Sequence, residues 1–182
     1  MEKFISEYLG LIISFLLGLF SVSILEYWKK YRITKKRKEF IKSYLKGSIL
    51  PDLHILTENY LKVENALKED AETINLKVFE GFNTNVLDTI SPVDYYDIFK
   101  DKYVILNEII GILDYLSSNL PLEIYNMYSD KISSHRKEKA RNPEHEYNCD
   151  AVLHFKKIAS DLVDYRVREV ELLKSKILEV IN

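Results

Sequence analysis

The chain has few of the residues that break, staple or bend a backbone. Among its 182 residues are five glycines, four prolines and one cysteine. That scarcity of turn-formers excludes a fold of many short strands joined by tight hairpins. Leu, Ile, Lys and Glu are abundant instead, which favours helices. Cys149 has no second cysteine to pair with, so a disulfide-stapled scaffold is excluded and a reducing compartment fits. Enzyme signatures are missing too. There is no P-loop, no G-x-S-x-G, no H-E-x-x-H and no glycine-rich phosphate loop. The four histidines (54, 135, 145 and 154) are scattered. His145 and Cys149 stand four apart and can share a helix face, but two ligands without a second pair do not make a metal site. No catalytic residue, metal or other cofactor is expected, and the chain reads as a non-enzyme.

Charge is absent from one stretch. Tyr8–Leu25 holds eighteen uncharged residues between Glu7 and Glu26. As helix they span about 27 Å, close to the thickness of a bilayer core. The sequence thus predicts one transmembrane helix over about 4–28. A cleaved signal peptide carries its basic residues before the apolar run and small residues after it. Here only Lys3 precedes the run, and Tyr27 and Trp28 follow it in the manner of a headgroup-level aromatic belt. Beyond them come Lys29, Lys30, Arg32, Lys35, Lys36, Arg37 and Lys38 with no acid among them. This membrane-surface set places its flank in the cytoplasm and the N-terminus outside. It also attracts anionic lipid, at about 1 kcal/mol per basic residue. Residues 1–46 carry ten Lys/Arg against four Asp/Glu, and residues 47–182 carry sixteen against twenty-four. A basic stalk and an acidic body are therefore distinct parts, 1–46 and 47–182.

Nothing interrupts helix from about Glu2 to Lys46, and Gly47 and Pro51 are expected to end it. On the stalk, Ile33, Phe40, Ile41, Tyr44 and Leu45 mark a side that docks on the body. A second helix is predicted from Pro51 to about Lys68. Residues 73–79 alternate apolar and polar over only seven positions, which suits a strand, a helix or an extended loop. Ser91-Pro92-Val93-Asp94 is a helix start, with Ser as N-cap and Pro at the first helical position. One helix or two then reach Leu120. Another runs over about 121–140 until Asn142-Pro143 breaks it. The last runs from about Cys149 to Ile181, with a seam at Ala159, Val163, Arg166, Val170, Leu173, Ile177 and Val180. Arg166 interrupts that seam and is expected to pair with Glu169 or an acid on a neighbouring helix. A seam of this length suits a coiled coil or an intramolecular bundle equally. The fold class is all-α: an N-terminal transmembrane helix continuing into a basic stalk, then a cytosolic antiparallel helical bundle.

Three constellations bear on function. Gly10, Ser14 and Gly18 form a small-xxx-small face of the kind that lets membrane helices approach closely. Glu7, Ser14, Ser21 and Trp28 stand seven apart and lie almost on one line of the helix. Copies arranged around that line would ring a pore with Glu7 as an acidic, cation-favouring ring. Equally, the serines can bond their own backbone carbonyls while Glu7 reaches water. The third is a basic cluster in the acidic body: His135, Arg136, Lys137, Lys139 and Arg141, with Lys156 and Lys157 on the next helix. With Tyr125, Tyr128 and Tyr147 near in sequence, it suits phosphates and stacked bases, or simply complements a helix C-terminus.

This layout resembles the small single-span membrane effectors of bacterial anti-phage defence, found in CRISPR-, CBASS- and Hailong-type systems. The resemblance covers the architecture of the whole chain. It implies a bacterial inner-membrane protein, assembled as a homo-oligomer, that forms a pore or channel gated by a nucleotide or oligonucleotide on its cytosolic domain. The alternative is a single-span tether or adaptor whose helical domain binds a partner protein.

Overall fold

In a computed structural model the backbone is described throughout except at Met1, Asp70, Glu72, Ser118, Asn119 and residues 143–148; side chains are described outside those positions and outside residues 2–7, 9, 12, 19 and 149–151. The described residues are helical or irregular, with no strand. Seven helices follow in order: α1 Glu2–Tyr44, α2 Leu50–Glu69, α3 Asn85–Asp88, α4 Pro92–Phe99, α5 Tyr103–Ser117, α6 Pro121–Arg141 and α7 Cys149–Ile181. The all-α class is as the composition predicts.

The core forms around α7, which packs against α2, α5 and α6. Its seam faces inward at every expected position, from Ala159 to Val180, and Val163, Val170, Leu173, Ile177 and Val180 are fully buried. The seam therefore serves an intramolecular bundle. To the same core α2 contributes Leu53, Leu56, Tyr60, Val63 and Leu67, and α5 contributes Leu106, Ile109, Leu113 and Leu116. Each such side chain contributes about 1.5–3 kcal/mol by leaving water.

The junction after α1 differs from expectation. Gly47 and Pro51 do not end the helix. Leu45–Ile49 forms a π-helical turn, and Tyr44 and Leu50 on either side keep right-handed helical angles. The reason lies in the spacing of the core residues. Ile41, Leu45, Ile49 and Leu53 are four apart and all fully buried. Each four-residue step in a regular α-helix overshoots one turn by about 40°. Three steps would swing Leu53 about 120° away from Ile41. A wider turn takes up the extra residue and holds all four on the core side. Of the stalk side chains expected to dock, Ile41 and Leu45 do so, Tyr44 is half-buried, and Ile33 and Phe40 are exposed.

Residues 73–84 are an extended connection without helix or strand, which settles the ambiguous alternation there. A buried side chain organises it. Asn59 of α2 donates from Nδ2 to the Lys77 carbonyl at 2.9 Å and accepts the Lys77 amide at Oδ1 at 2.8 Å. Lys62 donates to the Asn75 carbonyl at 2.9 Å, Tyr125 to the Ala71 carbonyl at 3.0 Å, and the Tyr44 hydroxyl to the Asn83 carbonyl.

Ser91 caps α4 as expected: its hydroxyl accepts the Asp94 amide at 3.1 Å, with Pro92 at the first helical position. The stretch to Leu120 divides into two helices because the chain turns at Lys100–Lys102 through a short 3-10 segment. Lys100 adopts φ 47° and ψ −104° there, a conformation costing an L-residue about 1–3 kcal/mol.

Candidate functional site

The N-terminal half of α1 makes no shelter for itself. Phe15, Leu16 and Leu17 point in three directions at about 100° per residue, and all three are exposed, Phe15 by 67%. Ten large apolar side chains from Tyr8 to Leu25 are exposed in the same way. Covering them would contribute on the order of 10–20 kcal/mol, as much as the whole stability of an ordinary domain. Among the described residues, no helix is long and apolar enough to cross a membrane. The side chains of Leu9, Ile12 and Leu19, three apolar members of the uncharged run, lie outside those residues, as does that of Glu7.

The small-residue face of α1 is open. A Cβ on Gly10 or Gly18 would meet nothing within 4 Å, and Ser14 is exposed. The Ser21 hydroxyl donates to the Gly18 carbonyl at 2.8 Å. Ser21 is therefore satisfied within its own helix, the second of the two readings of the polar line.

The basic run beyond Trp28 is divided between solvent and protein. Lys30 pairs with Asp97 at 3.5 Å and Arg37 with Asp94 at 3.6 Å. Lys38 lies over the Phe99 ring at 5.6 Å. Asp94 and Asp97 of α4 thus tie the stalk to the body, a role beyond the helix start that the sequence assigns to Asp94 and the first that it offers for Asp97. Their spacing of three, facing a basic run, was the available signal. Trp28, Lys29, Arg32, Lys35 and Lys36 remain exposed.

The second basic cluster is only partly assembled. Arg136 and Lys137 line a cleft of about 430 Å3 together with Ala71, Tyr128, Ser133 and Ala140. His135, Lys139 and Arg141 continue along α6 without lining it. Lys156 crosses to the end of α2 and donates to the Lys68 carbonyl at 3.3 Å, so part of its role is to cap that helix. Lys157 is exposed on α7. Tyr125 and Tyr128 do not offer ring faces for stacking bases, because both are buried in the core. Tyr147, like His145 and the Cys149 side chain, lies outside the described residues. The His135 imidazole is held below its ordinary value, first by desolvation and then by Lys139 and Arg136, against the pull of Glu138.

A third feature is apolar. A cleft of about 320 Å3 between α6 and α7 is lined by Met127, Lys131, Phe155, Ile158 and Leu162, among others. Lys131 lies over the Phe155 ring at 5.4 Å. Among the described residues no group of three or more His, Cys, Asp or Glu is placed to hold a metal ion.

Arg166 sits within the seam, nearly buried. Its Nη1 donates to Glu169 Oε2 at 2.8 Å, and its guanidinium stacks on Tyr115 at 4.0 Å from the ring centroid. The partner is Glu169, the first of the two expected, and the role is structural.

No protein-family model, curated protein or solved structure matches this chain.

Proposed function

We propose that this chain is a single-span membrane effector whose apolar helix self-associates and whose helical body carries an anion-binding cleft. The observation that carries the reading is that every described side chain of α1 from Tyr8 to Leu25 is exposed, in a run of eighteen uncharged residues. A helix apolar all round belongs in lipid or inside an assembly. The aromatic pair Tyr27-Trp28 and the exposed Lys29, Arg32, Lys35 and Lys36 then sit at the cytoplasmic surface, leaving the body in the cytosol. The open Gly10-Ser14-Gly18 face supports close helix pairing. Arg136 and Lys137 supply charge for a phosphate-bearing ligand, a nucleotide or oligonucleotide, whose binding shifts the assembly between closed and permeable states. The layout supports a place in bacterial anti-phage defence.

The test is reconstitution of the full-length chain into liposomes, with its oligomeric state in detergent as a companion measurement. Defined oligomers and ion leakage are expected, both reduced by Ser14→Leu without loss of membrane insertion. A strictly monomeric protein with no conductance refutes the effector reading.

One observation favours a second reading, the tether or adaptor. The α6–α7 cleft exposes Met127, Phe155 and Ile158, the residue types that seat a partner protein. On that reading, replacing residues 4–27 by an unrelated span leaves function intact, whereas the effector needs its native helix.

A further inference from the structure

A cleft of about 680 Å3 lies between the stalk of α1 and α4. Five lysines line it: Lys30, Lys35, Lys38 and Lys42 from α1, and Lys100 from the end of α4. The two lining acids, Glu39 and Asp97, leave a net charge of +3, five minus two. Three of the lysines are engaged. Lys30 pairs with Asp97, Lys38 covers Phe99, and Lys42 donates to the Ile181 carbonyl at the end of α7. Lys35 and Lys100, on opposite walls, have no ion-pair or hydrogen-bond partner among the described residues. Lys100 reaches its wall through the one strained non-glycine backbone conformation of the described chain. Strain of that kind is kept where a side chain must be presented in a fixed place.

We propose that this cleft is a binding site for a phosphate-bearing anion, held between Lys35 and Lys100. Lysines act as compact point charges that suit phosphate without the forked geometry of arginine. Tyr27 lines the cleft and Lys30 is two residues beyond Trp28. If α1 crosses a bilayer, the mouth of the cleft opens at the level of the lipid phosphates. A lipid headgroup and a soluble phosphate share this chemistry. The site is separate from the Arg136–Lys137 cleft, and neither depends on the other.

The experiment uses full-length protein in two arms. In uncharged detergent, inorganic pyrophosphate binding is measured by calorimetry. In phosphatidylcholine nanodiscs doped with phosphatidylglycerol, co-retained anionic lipid is measured by native mass spectrometry. The pair Lys35→Gln with Lys100→Gln is compared with Lys46→Gln with Arg168→Gln, which removes equal charge from exposed residues that neither line the cleft nor belong to the membrane-surface set. The first pair is expected to weaken binding about thirtyfold and the second to leave it within about threefold. Binding in one arm alone identifies the source of the phosphate and supports the site. Lys100→Gly is expected to raise the melting temperature, by relieving the strained φ, and still to weaken binding. Equal losses in the two pairs would mean diffuse attraction and would overturn the site. So would wild-type protein that takes up neither pyrophosphate nor anionic lipid.

Discussion

Asn59 is the residue whose replacement tests the description of the fold most directly. It is buried on α2 and spends both ends of its amide on the backbone of Lys77. Asn59→Ala removes both hydrogen bonds and leaves a small void. Two hydrogen bonds at about 1 kcal/mol each give about 2 kcal/mol. The void adds little, since the lost group is polar and short. The Lys77 backbone groups are not stranded, because Lys77 is exposed and water replaces the amide. The total therefore stays near 2 kcal/mol rather than the larger penalty of a buried orphan. For a chain of this size that corresponds to a fall of about 4–8 °C in melting temperature. Hydrogen exchange gives the sharper reading. The Lys77 amide loses its acceptor and should fall to the unprotected rate in the variant, while amides in the middle of α7 stay protected and speed up by no more than the global loss, about thirtyfold. Asn59→Asp should recover less than half of the stability, since a carboxylate accepts from the Lys77 amide but cannot donate to its carbonyl. Unchanged exchange at Lys77 with an unchanged melting temperature would refute the clamp, and with it the placement of residues 73–84 against α2.

Two further predictions address charge in the body. Glu169→Ala leaves the nearly buried Arg166 guanidinium with Tyr115 but without its counter-charge and should cost about 3 kcal/mol, whereas Arg166→Met, which removes the charge and keeps the volume, should stay within about 1 kcal/mol; equal effects in chemical denaturation would contradict the account of the pair. His135 has a folded-state pKa below its ordinary value, so the unfolded chain takes up a proton first as pH falls, and stability should decline below about pH 6.5. His135→Gln should flatten that part of the stability-against-pH curve, and a variant whose curve matches the wild type would show that His135 does not shape it.

How far the sequence could be read depended on whether one helix carried the information alone. The α7 seam from Ala159 to Val180 was legible because a repeat of four and three sets one face whatever it packs against. The start of α4 was legible because Ser91, Pro92 and Asp94 act within a single turn. The junction at Leu45–Ile49 was not. Gly47 and Pro51 read as a stop when taken singly, and only the four-residue spacing from Ile41 to Leu53 reveals that the helix persists. The ion pairs of the stalk were not legible, because Asp94 and Asp97 stand about sixty residues further on and no local pattern joins them to Lys30 and Arg37. The tyrosines near the α6 cluster were offered as base-stacking faces on proximity in sequence. Whether a ring is core or surface depends on α2 and α7, which no local pattern states.

From Glu2 to Glu69 the backbone stays helical, through the π-turn and into the bundle. The apolar end of α1 and the core of the body are therefore joined by a shaft with no swivel in it. Fasteners at Asp94 and Asp97 brace that shaft on the outside, and Ile41, Leu45, Ile49 and Leu53 key it on the inside. A flexible linker would let the two ends turn independently. Here a twist of a few degrees in the body becomes torque at Gly10, Ser14 and Gly18. Any displacement passed between the two ends travels as rotation or tilt of one rigid piece.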